Sequence, residues 1–235
     1  MVVVAVPPYP AGMGRVVMPT LVELLARVSF LAAMPAVAGI LVTAGLLVVS
    51  RDWRLNMTAL TLQYFFVVLL LTRLIRLEVA AVKGLIGWMI CLVFYLTERR
   101  ASALKQSSAV EDTEVSRRWI IPARTSFCLL AGILVSVAAY TAALHIPLPE
   151  VSTDITLACY LLVGLGVLLI GLSEAPMQVG LGLLTFLSGF DLFYVALEPS
   201  LAVAGLLGAA SFLIALATAY LRTAQVIVGS EGKTP

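Results

Sequence analysis

The chain of 235 residues is 61% hydrophobic and only 12% charged, with a mean hydropathy of +1.07. A water-facing globular surface needs about twice that share of charge, so the composition is that of an integral membrane protein. A net charge of +2, with no basic cluster interleaved with aromatics, excludes nucleic acid as a partner.

The apolar runs suit helices crossing a hydrocarbon core that needs ~20 residues each, and they lack the alternation of an outer-membrane barrel. The expected fold class is all-α, a polytopic transmembrane bundle of about seven spanning helices. Residues 1–27 form an N-terminal arm and interfacial helix: Pro7-Pro8-Tyr9-Pro10, Gly12 and Gly14 break regular structure. Glu23 and Arg27 then stand one helical turn apart. Helix 1 is expected over Val28–Ser50, closed by Arg51-Asp52-Trp53-Arg54, helix 2 over Leu55–Thr72 and helix 3 over Val79–Thr97. The polar segment Glu98–Arg118 carries charges of both signs and reads as a loop, with 101–119 on the cytoplasmic side. A linking helix 4, Ile120–His145, lies within 120–150. Helices 5 to 7 follow over Ile155–Leu172, Pro176–Leu197 and Ser200–Leu221, and 223–235 is a polar tail.

The chain repeats itself. Ala81–Gly87 reads Ala-Val-Lys-Gly-Leu-Ile-Gly and Ala202–Gly208 reads Ala-Val-Ala-Gly-Leu-Leu-Gly. Carried backwards and forwards without gaps, the same shift of 121 places Gly45 on Gly166, Phe65 on Phe186, Leu92 on Leu213 and Thr97 on Thr218. Repeat one (28–100) and repeat two (151–222) are three helices each. A single linking helix between them gives both the same orientation in the membrane, an arrangement known from membrane transport folds. Lys and Arg concentrate on cytoplasmic loops. Arg51, Arg54, Arg99, Arg100, Lys105, Arg117 and Arg118 therefore place the C-terminus inside and the N-terminus outside a cytoplasmic membrane, with Arg73 and Arg76 against the rule.

Ionisable residues inside spanning segments are costly and mark functional sites. Two stand out. Lys83, near the start of helix 3, reads either as a side chain snorkelling to the headgroups or as a cation facing the bundle interior, where the sister repeat has Ala204. Asp191 lies deeper, in helix 6, as a buried hydrogen-bond acceptor or a protonatable relay. The two are candidates for one pair across the repeats. Gln63, Tyr64 and Ser188 are supporting polar groups, and Gly84, Gly87, Gly205 and Gly208 are expected to let helices approach closely. Cys91, Cys128 and Cys159 are isolated in separate apolar runs, and His145 is the only histidine. No phosphate loop, nucleophile elbow or carboxylate pair is present. No catalytic residue, cofactor or metal is expected in this chain, and any redox cofactor belongs to a partner.

The unit from Gly45 through Arg51-Asp52-Trp53-Arg54-Leu55-Asn56 to Ala81–Gly87 and Glu98-Arg99-Arg100 resembles the K subunit of complex I. Duplicated with a linking helix, it is similar to component E of hydrogenase-4 and its relatives in energy-converting hydrogenases. The resemblance covers roughly residues 36–222. It implies a membrane subunit that contributes to, or scaffolds, proton or ion translocation coupled to redox chemistry elsewhere, with hydrophobic antiporter-like subunits and the lipid bilayer as partners. The glutamates of that family's proton path match positions near Gln63 and Ile90 in repeat one and near Leu184 and Ser211 in repeat two, none of them acidic. Lys83 and Asp191 would therefore be replacements at other positions. The alternatives are a small-solute transporter with parallel three-helix repeats, whose Pro-Gln dipeptides this chain lacks, and a structural membrane scaffold.

Overall fold

Backbone that crosses lipid without strand partners satisfies its own polar groups only as α-helix. The computed structural model of the chain describes residues 33–50, 52–75, 77–108, 123–146, 151–197 and 200–231. These form seven helices: α1 Ala33–Val49, α2 Trp53–Leu74, α3 Leu77–Ser108, α4 Ala123–His145, α5 Thr153–Leu172, α6 Pro176–Leu197 and α7 Leu201–Glu231. Six of them are long and apolar enough to cross a membrane, and α1 is a shorter apolar helix. The protein is a multi-pass helical membrane bundle. The N-terminal arm, Arg51, Arg76 and the middle of the central polar segment lie outside the described residues.

Local chemistry sets the breaks. Asp52 and Ser152 take extended backbone just before α2 and α5. Pro176 opens α6, where its missing N–H costs no hydrogen bond. Hydroxyls inside the spans are satisfied within their own helix: Thr43, Thr185, Ser188 and Thr218 donate to the carbonyl one turn back at 2.7–2.9 Å.

Two helices exceed their expected length. The polar run from Glu98 was expected to be loop and the residues after Arg222 a tail, yet α3 continues to Ser108 and α7 to Glu231. Polarity ends a membrane span but not a helix. Glu98-Arg99-Arg100-Ala101-Ser102-Ala103-Leu104-Lys105 is made largely of strong helix formers with no Gly or Pro to stop it.

Within repeat one, α1 packs on α2 and α2 on α3; within repeat two, α5 packs on α6 and α6 on α7. Across the repeats each helix faces its own counterpart, α1 on α5, α2 on α6 and α3 on α7. Two three-helix layers are therefore stacked in step, since a two-fold axis would have set α1 against α7. Ile86 meets Gly208 and Glu98 meets Arg222, so α3 and α7 run side by side in the same direction, near the register of the 121-residue shift. The linking helix α4 packs on α5 and α1 and is otherwise bare: only 11% of its apolar window is buried.

The tightest seam belongs to repeat two alone. A Cβ on Gly166 would stand 2.6 Å from the Phe186 nitrogen and 2.8 Å from its Cα, and one on Gly189 would stand 2.9 Å from the Val163 nitrogen. There α5 and α6 touch backbone to backbone. The matching positions of Gly182 and Gly189 in repeat one are Thr61 and Val68, and Val68 faces Gly84 of α3. Gly45, the counterpart of Gly166, faces open space.

This asymmetry is testable. Gly45→Ala should be neutral or stabilising by about 0.5–1 kcal/mol, the helix-propensity gain, whereas Gly166→Ala should destabilise by ~1–3 kcal/mol through overpacking. Thermal unfolding of the two variants in the same detergent checks the contrast; equal effects would mean the α5–α6 seam is looser than described.

Candidate functional site

Helices α2, α3, α7 and α6 form a ring in which each packs on the next. α3 and α6 stand diagonally across it. Lys83 lies six residues into α3 and Asp191 six residues before the end of α6, each ~9 Å inside its helix at 1.5 Å per residue. From these positions the Lys83 ammonium donates to Asp191 Oδ1 across the ring. Their side chains keep only 11% and 12% of their surface. Lys83 therefore does not snorkel to the headgroups; its charge is answered inside the bundle.

The pair lines a small cavity of about 40 Å³, which Tyr64, Ser188 and Ser211 also border. Ser188 Oγ donates to Leu184 O at 2.7 Å and Ser211 Oγ to Leu207 O at 2.9 Å, so each hydroxyl oxygen keeps lone pairs for a further partner. The Tyr64 hydroxyl lies toward Ser188 without a hydrogen bond of standard geometry. Small residues make the cavity possible. A Cβ on Gly87 would stand 2.7 Å from Tyr64 Cδ1, so the ring of Tyr64 seats on that glycine, and Gly208 receives Ile86 at 3.0 Å. A Cβ on Gly84 would stand 3.3 Å from Val68 Cγ2, slightly tighter than ordinary van der Waals contact. Gly205, expected to serve helix packing, faces open space instead. It lies on an outward face of α7, where no neighbouring helix approaches.

The polar groups expected from the sequence thus divide. Lys83, Asp191, Tyr64 and Ser188 come together at the cavity, joined by Ser211, which the resemblance placed at a glutamate position. Gln63 is only 1% exposed but turns away from the cavity lining, and its Oε1 makes no hydrogen bond among the described residues. Cys91, Cys128 and Cys159 are buried free thiols.

A second buried ion pair escaped the sequence reading. Arg222 Nε donates to Glu98 Oε1 at 2.8 Å, with Nη2 3.5 Å from Oε2. Glu98 is 3% exposed. It sits fifteen residues beyond Lys83 on α3, ~22 Å further along the helix, so the two pairs mark opposite ends of the α3–α7 contact. The available signal was the repeat itself: Glu98 and Arg222 both fall at the polar end of a repeat's last helix, with opposite charge. The pair borders a cleft of about 520 Å³ that also involves Trp53, Asn56, Glu174 and Gln178. Arg54 lies over the Trp53 ring at 5.4 Å.

Chemically, the inner site holds a carboxylate, an ammonium, a phenol and two hydroxyls around space for a few water molecules, each of which needs ~10–15 Å³. Such a set can hold a proton or a water molecule and exchange it. It contains no nucleophile poised beside a base. Compared with models of known protein families, with characterised proteins and with solved structures, the chain matches none.

The Glu98–Arg222 pair gives a direct check on this geometry. Arg222→Gln should destabilise the bundle by ~1–3 kcal/mol or more, because it leaves a buried carboxylate unanswered. Exchanging the two charges, Glu98→Arg with Arg222→Glu, should recover much of the loss. Thermal unfolding of the single and exchanged variants reads both, and an exchange no better than the single change would mean that the residues do not pair.

Proposed function

We propose that this chain is a non-catalytic membrane subunit whose Lys83–Asp191 cavity belongs to an intramembrane proton or ion path, in an assembly of the complex-I or energy-converting-hydrogenase kind. The observation that carries this reading is the buried cation–anion pair drawn from the two repeats and set beside a small cavity that Tyr64, Ser188 and Ser211 also border. Charge placed so deep is expensive, and nothing in the packing of uniformly apolar helices requires it. In this reading redox chemistry falls to partner subunits.

The assembly is supported by the bare linking helix. Phe127, Leu130, Ile133, Leu134 and Val137 on α4 are all more than half exposed, and a groove of about 580 Å³ runs between α1 and α4 past Gly45 and Gly132. A hydrophobic antiporter-like subunit presenting a helix there would bury this face. Arg54, Arg99 and Arg100 are exposed at the end of the bundle that holds Arg222, which supports a cytoplasmic placement of that end in the cytoplasmic membrane. The cavity at the Lys83–Asp191 pair, about 40 Å³, is of a size for water or a proton carrier.

Charge substitution tests the reading. Removing one partner of a truly buried pair costs on the order of 3–5 kcal/mol by leaving the other uncompensated. Lys83→Met and Asp191→Asn should each lower complex yield and proton uptake in reconstituted vesicles. The double variant should recover yield without recovering uptake. Strict additivity of the two changes, with uptake near that of the unaltered protein, would leave the pair without a part in conduction.

A further inference from the structure

The cleft beside Glu98 and Arg222 is far larger than the cavity at the inner pair, about 520 Å³ against about 40 Å³, and its volume is that of sites that hold small organic molecules. It lies between the first turns of α2 and α6 and the polar ends of α3 and α7. The lining is amphipathic: Met57, Met177 and Leu181 are buried apolar side chains, and Glu98, Glu174, Asn56 and Arg222 are polar.

Two carboxylates stand in this lining against one guanidinium, so its net charge is negative. Arg222 is committed to Glu98 at 2.8 Å. Glu174 is exposed and makes no ion pair among the described residues. Asn56 adds a further acceptor, since the residue is 3% exposed and its Oδ1 has no hydrogen-bond donor, an arrangement that buried polar groups rarely keep. The first turns of α2 and α6 would favour an anion through their dipoles, but Asp52 directly precedes α2 and Glu174 lies two residues before Pro176, so each end already has its carboxylate. What the cleft lacks is a positively charged donor. An ammonium group supplies the charge and three N–H bonds, whereas a bare ion would leave the apolar part of the space unfilled.

We propose that this cleft binds an organic ammonium compound, with the charged nitrogen at Glu174 and Asn56 and the hydrocarbon against Met57, Met177 and Leu181. The headgroup of an aminophospholipid and a free alkylamine share this chemistry. The site is separate from the ion path proposed at Lys83 and Asp191 and does not depend on it.

Isothermal titration calorimetry on the full chain in dodecyl maltoside micelles tests it, with hexylammonium as the probe, hexanol and hexanoate as its neutral and anionic counterparts, and empty micelles to give partition alone. Hexylammonium should bind saturably beyond partition, and hexanol and hexanoate should not. Glu174→Gln should weaken binding about fivefold, as for the loss of one partly solvated charge pair, and Asn56→Asp should tighten it. Glu78→Gln removes an exposed carboxylate at the opposite end of α3 and should change nothing. Should Asn56→Asp not fold, the exposed Glu174 position and the three probes on the unaltered protein still decide. Absence of saturable binding, hexanoate binding as tightly as hexylammonium, or unchanged affinity in Glu174→Gln overturns the proposal. Lipid mass spectrometry of the purified protein separates the two sources. An ethanolamine phospholipid that is retained, displaced by hexylammonium and depleted in Glu174→Gln identifies a lipid headgroup; saturable hexylammonium binding with no such lipid identifies a free amine.

Discussion

A lysine and an aspartate facing each other inside lipid constrain everything around them. Neither charge is tolerable alone in a medium that solvates ions poorly, so α3 and α6 are held at the rotation and depth that let Lys83 reach Asp191. Because those helices stand diagonally in the ring, α2 and α7 pass between them, and a large side chain at a crossing needs a small residue opposite it. Gly87 under the Tyr64 ring and Gly208 under Ile86 meet that requirement. The cavity is the space left when two charged side chains meet across a ring that small residues have drawn together.

Duplication explains where the charges can differ. The two layers are stacked in step, so each helix meets its own copy, yet equivalent residues have different surroundings: Gly84 faces Val68 whereas Gly205 faces open space. The chain carries Lys83 where repeat two has Ala204 and Asp191 where repeat one has Leu70, and the ion pair joins two places where the repeats have diverged. The second pair has the opposite polarity, with the anion, Glu98, in repeat one and the cation, Arg222, in repeat two. Both pairs therefore favour contact between the repeats over contact within one.

The packing follows the same division of labour. Backbone contact at Gly166 and Gly189 makes α5–α6 the tight pair, and those helices are also the most buried of the spanning segments, at 50% and 56% of their apolar windows. The α1–α2 pair of repeat one lacks the equivalent contact, since Gly45 at the position of Gly166 faces open space.

How much of this was legible in the residues depends on the reach of each signal. Hydropathy over ~20 residues is local, so the sequence by itself determined the helical membrane class and the order of the spans. It also singled out Lys83, Asp191, Tyr64 and Ser188, because a polar side chain in an apolar run is conspicuous wherever it points. It misjudged the ends of α3 and α7, where polarity suggested a loop although nothing in Glu98–Lys105 breaks a helix, and it gave Gly205 a packing role on a face that meets no neighbour. Only the tertiary structure decided that Lys83 turns inward to Asp191 and that Glu98 is buried against Arg222. The reason is rotational. A helix apolar all round carries no stripe to say which face meets which neighbour, and that choice is fixed only when all the helices pack together.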